Sequence, residues 1–258
     1  MSYSPNVLRW LNITRGLDSE YSEIHKFGTN EAVGTSFVPI TRQGIYQVPI
    51  AATALELVSD DVNDTSAGTG AQTVTVIGLN SSWAEVSQTV TMNGTTAVAL
   101  ATDLIRVYRM YVATSGTYAT QSAGSHAGNI TLRVSGAGAT WAQIHATDFP
   151  RGQTQIGVYT IPTGKTALLS LHYISVDSNK SGDLILFHRA LTDDVTTPYT
   201  GIMRAAFELV GVSGFVNLVD SAAPQGPFVG PCDIGFMGKV ATGTGSMSVD
   251  FEMILYNT

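Results

Sequence analysis

At 258 residues and a formal net charge of −7, the chain is long enough for one large β-sandwich or two small ones, each burying its own core. Only 13% of residues are charged, against 26 glycines and long runs of Thr, Ser, Ala and Val, a balance that favours strands and tight turns over helices with charged wet faces. Thirteen scattered basic residues, nowhere three in a row, exclude a phosphate-tracking nucleic-acid surface, and the lack of an apolar run of about 18 residues excludes a membrane-spanning helix.

In chain order, the start has no basic-then-apolar leader, so the expectation is assembly without a cleaved signal. Val7-Leu8-Arg9-Trp10-Leu11 and the stretch from Glu20 to Phe27 are irregularly apolar. A short helix over 5–12 fits Ser4 as its cap and Pro5 in its first turn. Residues 1–46 read as an N-terminal arm lying across this chain or a neighbouring subunit. Trp10, Leu11, Leu17, Tyr21 and Phe27 are its candidate interface residues. From Gln47 the alternation is that of strands, over 54–58, 72–78, 84–92, 95–99, 103–112, 128–134 and 140–145. Asn93-Gly94 ends one of them with a strong hairpin signal. Phe149-Pro150-Arg151-Gly152 reads as a boundary, and further strands follow over 157–161, 166–176, 183–190, 204–210, 214–219, 234–240 and 246–255. Pro162-Thr163-Gly164-Lys165 is a turn with Pro at its first central place. Short strands at roughly ten-residue spacing predict an all-β antiparallel sandwich or jelly roll. Two packed sandwich domains are expected, 47–150 and 151–258.

Candidate chemistry is sparse. The histidines His25, His126, His145, His172 and His188 have no metal-site spacing, although His172 and His188 fall on neighbouring predicted strands. Cys232, the sole cysteine, permits no intrachain disulfide and reads as a buried, inert thiol. No Gly-x-Ser-x-Gly elbow is present, and Gly243-Thr244-Gly245-Ser246 reads as a hairpin loop. The carboxylate pairs Asp60-Asp61 and Asp193-Asp194 sit in turn-like sequence. Asp177-Ser178-Asn179-Lys180-Ser181-Gly182-Asp183 opens like a calcium loop but has His188 where the closing carboxylate belongs, and so reads as a hairpin turn. Asp60, Asp61 and Asp64 are similarly rich in oxygen. Tyr108, Tyr111, Tyr118 and Trp141 are the aromatics that could stack on sugar, with core or subunit-interface packing as the commoner use on strands. The residues thus predict no catalytic residue, no cofactor and no metal.

The stretch from Leu57 to Asn80, with Thr89 to Val98, Arg106-Val107-Tyr108-Arg109-Met110 and Gly128-Asn129-Ile130-Thr131-Leu132, resembles virion structural proteins of tailed bacteriophages. His25 to Asn30 and Tyr159 to Ala167 extend the resemblance over roughly 24–175. It implies sandwich or jelly-roll folding, self-association (often as trimers) and a structural role without catalysis. The partners so implied are the major capsid protein and further copies of the chain as a homotrimer, with no nucleic acid and no membrane. The implied place is the capsid exterior, after assembly in the host bacterial cytoplasm, where a lone thiol is at home. Two functions follow: a decoration or cement protein bridging neighbouring capsid subunits, and a head or tail fibre protein binding a host surface glycan. A polysaccharide-cleaving enzyme would need two carboxylates at the right separation in a groove, and acids are few at strand-end positions.

Overall fold

The computed structural model describes residues 12–13, 15–116, 124–146, 151–196, 198, 200–219 and 224–258. The chain enters through β1 (Tyr21–Val33) and the two-residue β2 (Val38–Pro39). Seven strands follow: β3 (Leu55–Ser59), β4 (Ala71–Leu79), β5 (Glu85–Thr91), β6 (Val98–Ala99), β7 (Arg106–Ser115), β8 (Ile130–Val134) and β9 (Thr140–Ile144). The last eight are β10 (Val158–Ile161), β11 (Lys165–Val176), β12 (Gly182–Ala190), β13 (Arg204–Val212), β14 (Gly214–Val219), β15 (Gln225–Val229), β16 (Cys232–Val240) and β17 (Gly245–Asn257). They form four antiparallel sheets, so the protein is all-β and of the β-sandwich type. Sheets β6-β3-β8-β9 and β5-β4-β7 make one sandwich. Sheets β1-β17-β11-β14, with β15 beside β11, and β10-β16-β12-β13, with β2 beside β16, make the other.

Period-two patterning explains which face of each strand is inside. β17 buries Gly245, Met247, Val249, Phe251, Met253 and Leu255 and leaves every intervening side chain half-exposed. β3 does the same with Leu55, Leu57 and Ser59. Central β4 is covered on both sides and buries Val74, Thr75 and Val76 in succession. Two apolar cores result, and each borrows from the other half. Leu79, Trp83, Ile105 and Tyr108 of the first sandwich join the core of the second, whereas Ile156, Val158 and Phe187 join the core of the first.

The expected arm over 1–46 meets a different arrangement in its second half. Residues 21–33 are an integral strand, paired from Tyr21↔Tyr256 to Asn30↔Met247 with the last strand of the chain. Gly28 permits the close approach: a Cβ there would lie 2.1 Å from the Ile40 carbonyl oxygen and 2.2 Å from the Gly157 nitrogen. The expected helix over 5–12 lies almost wholly outside the described residues; Asn12 and Ile13 are helical.

Three expected hairpins are arches instead. Asn93-Gly94 joins β5 to β6, and these strands belong to different sheets. Gly94, at φ 59°, donates its N–H to Asp64 O and accepts from Ser59 N. The 177–183 segment joins β11 to β12, and 243–246 joins β16 to β17, again between sheets. In the last case the two strands face each other across the core, with Phe236 and Phe251 ring centroids 5.6 Å apart. The Pro162 turn is present, with Gly164 at φ 72° and Lys165 N bonded to Pro162 O. Among the described residues no helix is long and apolar enough to cross a membrane.

Candidate functional site

The most elaborate polar cluster lies in the seam between the sandwiches. Arg106 opens β7 and Asp233 sits near the start of β16, and both side chains are 1% exposed. They meet as a fork, Nε to Oδ1 at 2.9 Å and Nη2 to Oδ2 at 3.0 Å. Arg106 Nη1 donates to the carbonyls of Pro49 and Ile105. Thr160 Oγ1 donates to Asp233 Oδ1 at 2.6 Å. The guanidinium lies 4.9 Å from the Trp83 ring centroid, a cation–π contact in a desolvated place. A buried charge pair is tolerable only when its remaining donors and acceptors are also satisfied, and this one meets that condition. Sequence reading names Arg106 only within the stretch that carries the resemblance and gives neither residue a role, although each is a charge set within an apolar strand and the two are of opposite sign.

A cleft of about 710 Å³ runs beside edge strand β1 where it faces β7, with Tyr21, His25, Lys26, Glu85, Tyr108 and Glu252 in its walls. Between β4 and β7 the register passes from Ile77↔Arg109 to Gly78↔Val107, so Tyr108 is the extra residue of a bulge. Its carbonyl accepts a hydrogen bond from Lys26 Nζ. Burial, and then the nearby Arg109 charge, pull the Lys26 amine down to about 7. The Tyr108 hydroxyl donates to Glu85, and burial raises the phenols of Tyr108 and Tyr159. Glu252 is raised by burial and by Glu23. The amine is committed to a backbone carbonyl and the Glu85 carboxylate to a phenol, so the cleft supports packing of one half on the other.

The oxygen-rich loops spend their carboxylates on nearby backbone and side-chain donors, several of them in other loops. Asp64, fully buried, accepts from Ala71 N and Ala127 N at Oδ1, and from Ser59 Oγ and Gly128 N at Oδ2, all within 2.9 Å. Asp60 takes Asn129 N and Nδ2, and Asp61 takes Asn63 N. Asp177 accepts from Asn179 N, whereas Asp183 accepts from Gly211 N and pairs with Lys239 at 3.2 Å. Asp194 is held down near 2 by hydrogen bonds from Thr196 and Thr200. Replacing Asp64 by Asn turns one acceptor into a donor that faces N–H groups, and should cost about 2 kcal/mol. Urea unfolding of the D64N variant checks this; an unchanged midpoint would contradict the assignment.

The other candidates disperse. His172 packs against Phe207 and Phe236, while His188 packs against Phe228, so the two do not form one site. His126 Nδ1 bonds the Gly128 carbonyl, and Gly152 N donates to its Nε2; burial lowers its pKa. Cys232 is 1% exposed, and burial pushes its thiol up to about 12, far from a reactive thiolate. Tyr108 and Trp141 are core residues. Tyr111 is half-exposed beneath Arg109, and Tyr118 lies outside the described residues. Of the interface candidates, Trp10 and Leu11 lie outside the described residues and Leu17 is exposed. Tyr21 packs on Tyr256, and Phe27 is half-exposed on the outer face of its sheet. Sequence reading also missed the apolar side chains left in the open on the second sandwich: Leu191, Val195, Ile202, Met203, Val210 (73% exposed) and Val229.

The fold thus defines an all-β protein of the sandwich or jelly-roll class. No protein-family model matches the chain, and no curated protein matches it. Among solved structures it is weakly similar to the structure of infectious bursal disease virus Gx strain, at 10% identity over 92% of this chain and 76% of that one, with a TM-score of 0.19. It is similar to the STIV MCP at 8% identity over 89% and 96% of the two chains, with a TM-score of 0.17. The infectious bursal disease virus VP2 subviral particle gives 12% identity over 92% and 76%, also at 0.17. TM-scores this low superpose no common fold.

Proposed function

We propose that the protein is a non-enzymatic virion structural component that decorates or cements a bacteriophage capsid by bridging neighbouring capsid subunits. The observation that carries this reading is the uncovered apolar surface. Among the described residues eleven large apolar side chains are left exposed, and six of them, Leu191, Val195, Ile202, Met203, Val210 and Val229, lie on the second sandwich away from Phe215. A free monomer gains nothing from keeping these in water, whereas a subunit seated among neighbours buries them. The low charged fraction points the same way. In this reading the partners are the major capsid protein and further copies of the chain, as a homotrimer, on the capsid exterior after assembly in the bacterial cytoplasm.

The test is co-sedimentation of the purified protein with shells of its own virus that lack it. Wild type should pellet with the shells, and the Met203→Asp, Val210→Asp double variant should bind at least tenfold more weakly while keeping its unfolding midpoint. Wild type left in the supernatant, or a variant that binds equally well, would end the proposal.

A further inference from the structure

The outer face of the sheet β1-β17-β11-β14 carries a slot that the capsid reading does not use. Cross-strand pairing places Phe27 of β1 and Tyr173 of β11 on either side of Asp250 of β17. The next row is Thr29, Ser248, Ser175 and Phe215. Phe215 is 66% exposed and stacks on Tyr173 with centroids 5.9 Å apart and planes at 17°. His25 Nε2 holds Asp250 Oδ1 at 2.8 Å. The hollow between these side chains measures about 360 Å³. Neighbouring strands lie about 4.8 Å apart, so the backbones carrying Phe27 and Tyr173 are separated by roughly 10 Å, wide enough for a pyranose ring between the flanking side chains.

We propose that this slot binds a neutral sugar. A pyranose offers C–H faces that suit Phe27, Tyr173 and Phe215, and a hydroxyl rim that suits a carboxylate and the Ser and Thr hydroxyls between them. An apolar protein segment laid in the same place would strip water from Asp250, Ser248, Ser175 and Thr29 without replacing their hydrogen bonds. Charge decides among sugars. Glu23, Asp250 and Glu252 all point to this face, by their alternation with the buried residues of β1 and β17, and His25 is already taken by Asp250. Uronic and sialic acids are therefore repelled, as are phosphates. The few oriented polar groups among apolar walls are what small-ligand sites commonly present.

Titration calorimetry with maltohexaose, cellohexaose and chitohexaose, and with polygalacturonate as the acidic probe, tests the slot. At least one neutral hexasaccharide should bind, with affinity reduced tenfold or more by Phe215→Ala and by Asp250→Ala. Phe215 is mostly exposed, so its substitution leaves folding intact, and sedimentation velocity on the same samples reports oligomer size. No binding to any neutral probe, binding indifferent to both substitutions, or preference for polygalacturonate would each overturn the proposal. Loss of self-association in the F215A variant without change in sugar binding would overturn it too, by assigning the face to a second copy of the chain. Shell binding is measured separately, so neither outcome settles the other.

Discussion

Replacing Asp233 with alanine is expected to lower the unfolding free energy by about 3–5 kcal/mol, because it leaves the Arg106 guanidinium charged and without its carboxylate in the seam. At 1% exposure neither partner can turn to water, and Arg106 Nε and Nη2 would lose the two carboxylate oxygens to which they donate. The Thr160 hydroxyl would lose its acceptor as well. The expected signature is a fall in the denaturation midpoint together with a change in Trp83 fluorescence, since that ring lies 4.9 Å from the guanidinium. Asp183→Ala is the matched control. It removes a carboxylate whose pair with Lys239 is 25–35% exposed, and should cost no more than about 1 kcal/mol. Substituting Arg106→Met together with Asp233→Leu should recover most of the loss, because two apolar groups replace two charges at similar volume. Equal midpoints for D233A and D183A would refute the role given to the seam.

That seam also shows where the sequence could be read and where it could not. Strands with plain alternation were legible: β14 occupies the expected 214–219, and β9, β12 and β17 lie within a residue or two of their expected ends. β1 was not. Its inward positions are Ile24, Lys26, Gly28 and Asn30, so an apolar stripe never forms, and Lys26 finds its partner only in β7. β15 hides for a related reason, because Gly226 and Pro227 break a strand pattern except at sheet edges. Turn chemistry announces a reversal but does not say whether the next strand stays in the sheet or crosses the core, and so arches passed for hairpins at Asn93-Gly94 and at 243–246. Arg106 and Asp233 are 127 positions apart. Each looks like an isolated polar residue in a strand until folding brings the two together.

The second large effect is on pH dependence. Unfolding free energy should rise by about 2 kcal/mol between pH 7 and pH 9, through Lys26. In the unfolded chain this amine holds its proton to about 10.5, whereas in the fold it loses it near 7. Across that interval the unfolded state binds more protons, so raising the pH favours the fold; below 7 both states are protonated and the dependence ends. The histidines lowered by burial, His126, His145 and His188, act in the same direction but only up to their unfolded value of 6.5. Cys232 acts oppositely: its folded value near 12 exceeds the unfolded 9.0, so stability declines once the pH passes 9. The interval from 7 to 9 therefore belongs mainly to Lys26. Lys26→Met should flatten the slope there, whatever it does to absolute stability by leaving the Tyr108 bulge carbonyl without its donor. A slope shared by wild type and K26M would show that the amine is charged in the fold. If the slope vanishes, the contact between β1 and β7 holds through a neutral amine, and acidification below pH 7 charges a lysine locked in the same seam that Arg106 and Asp233 keep closed.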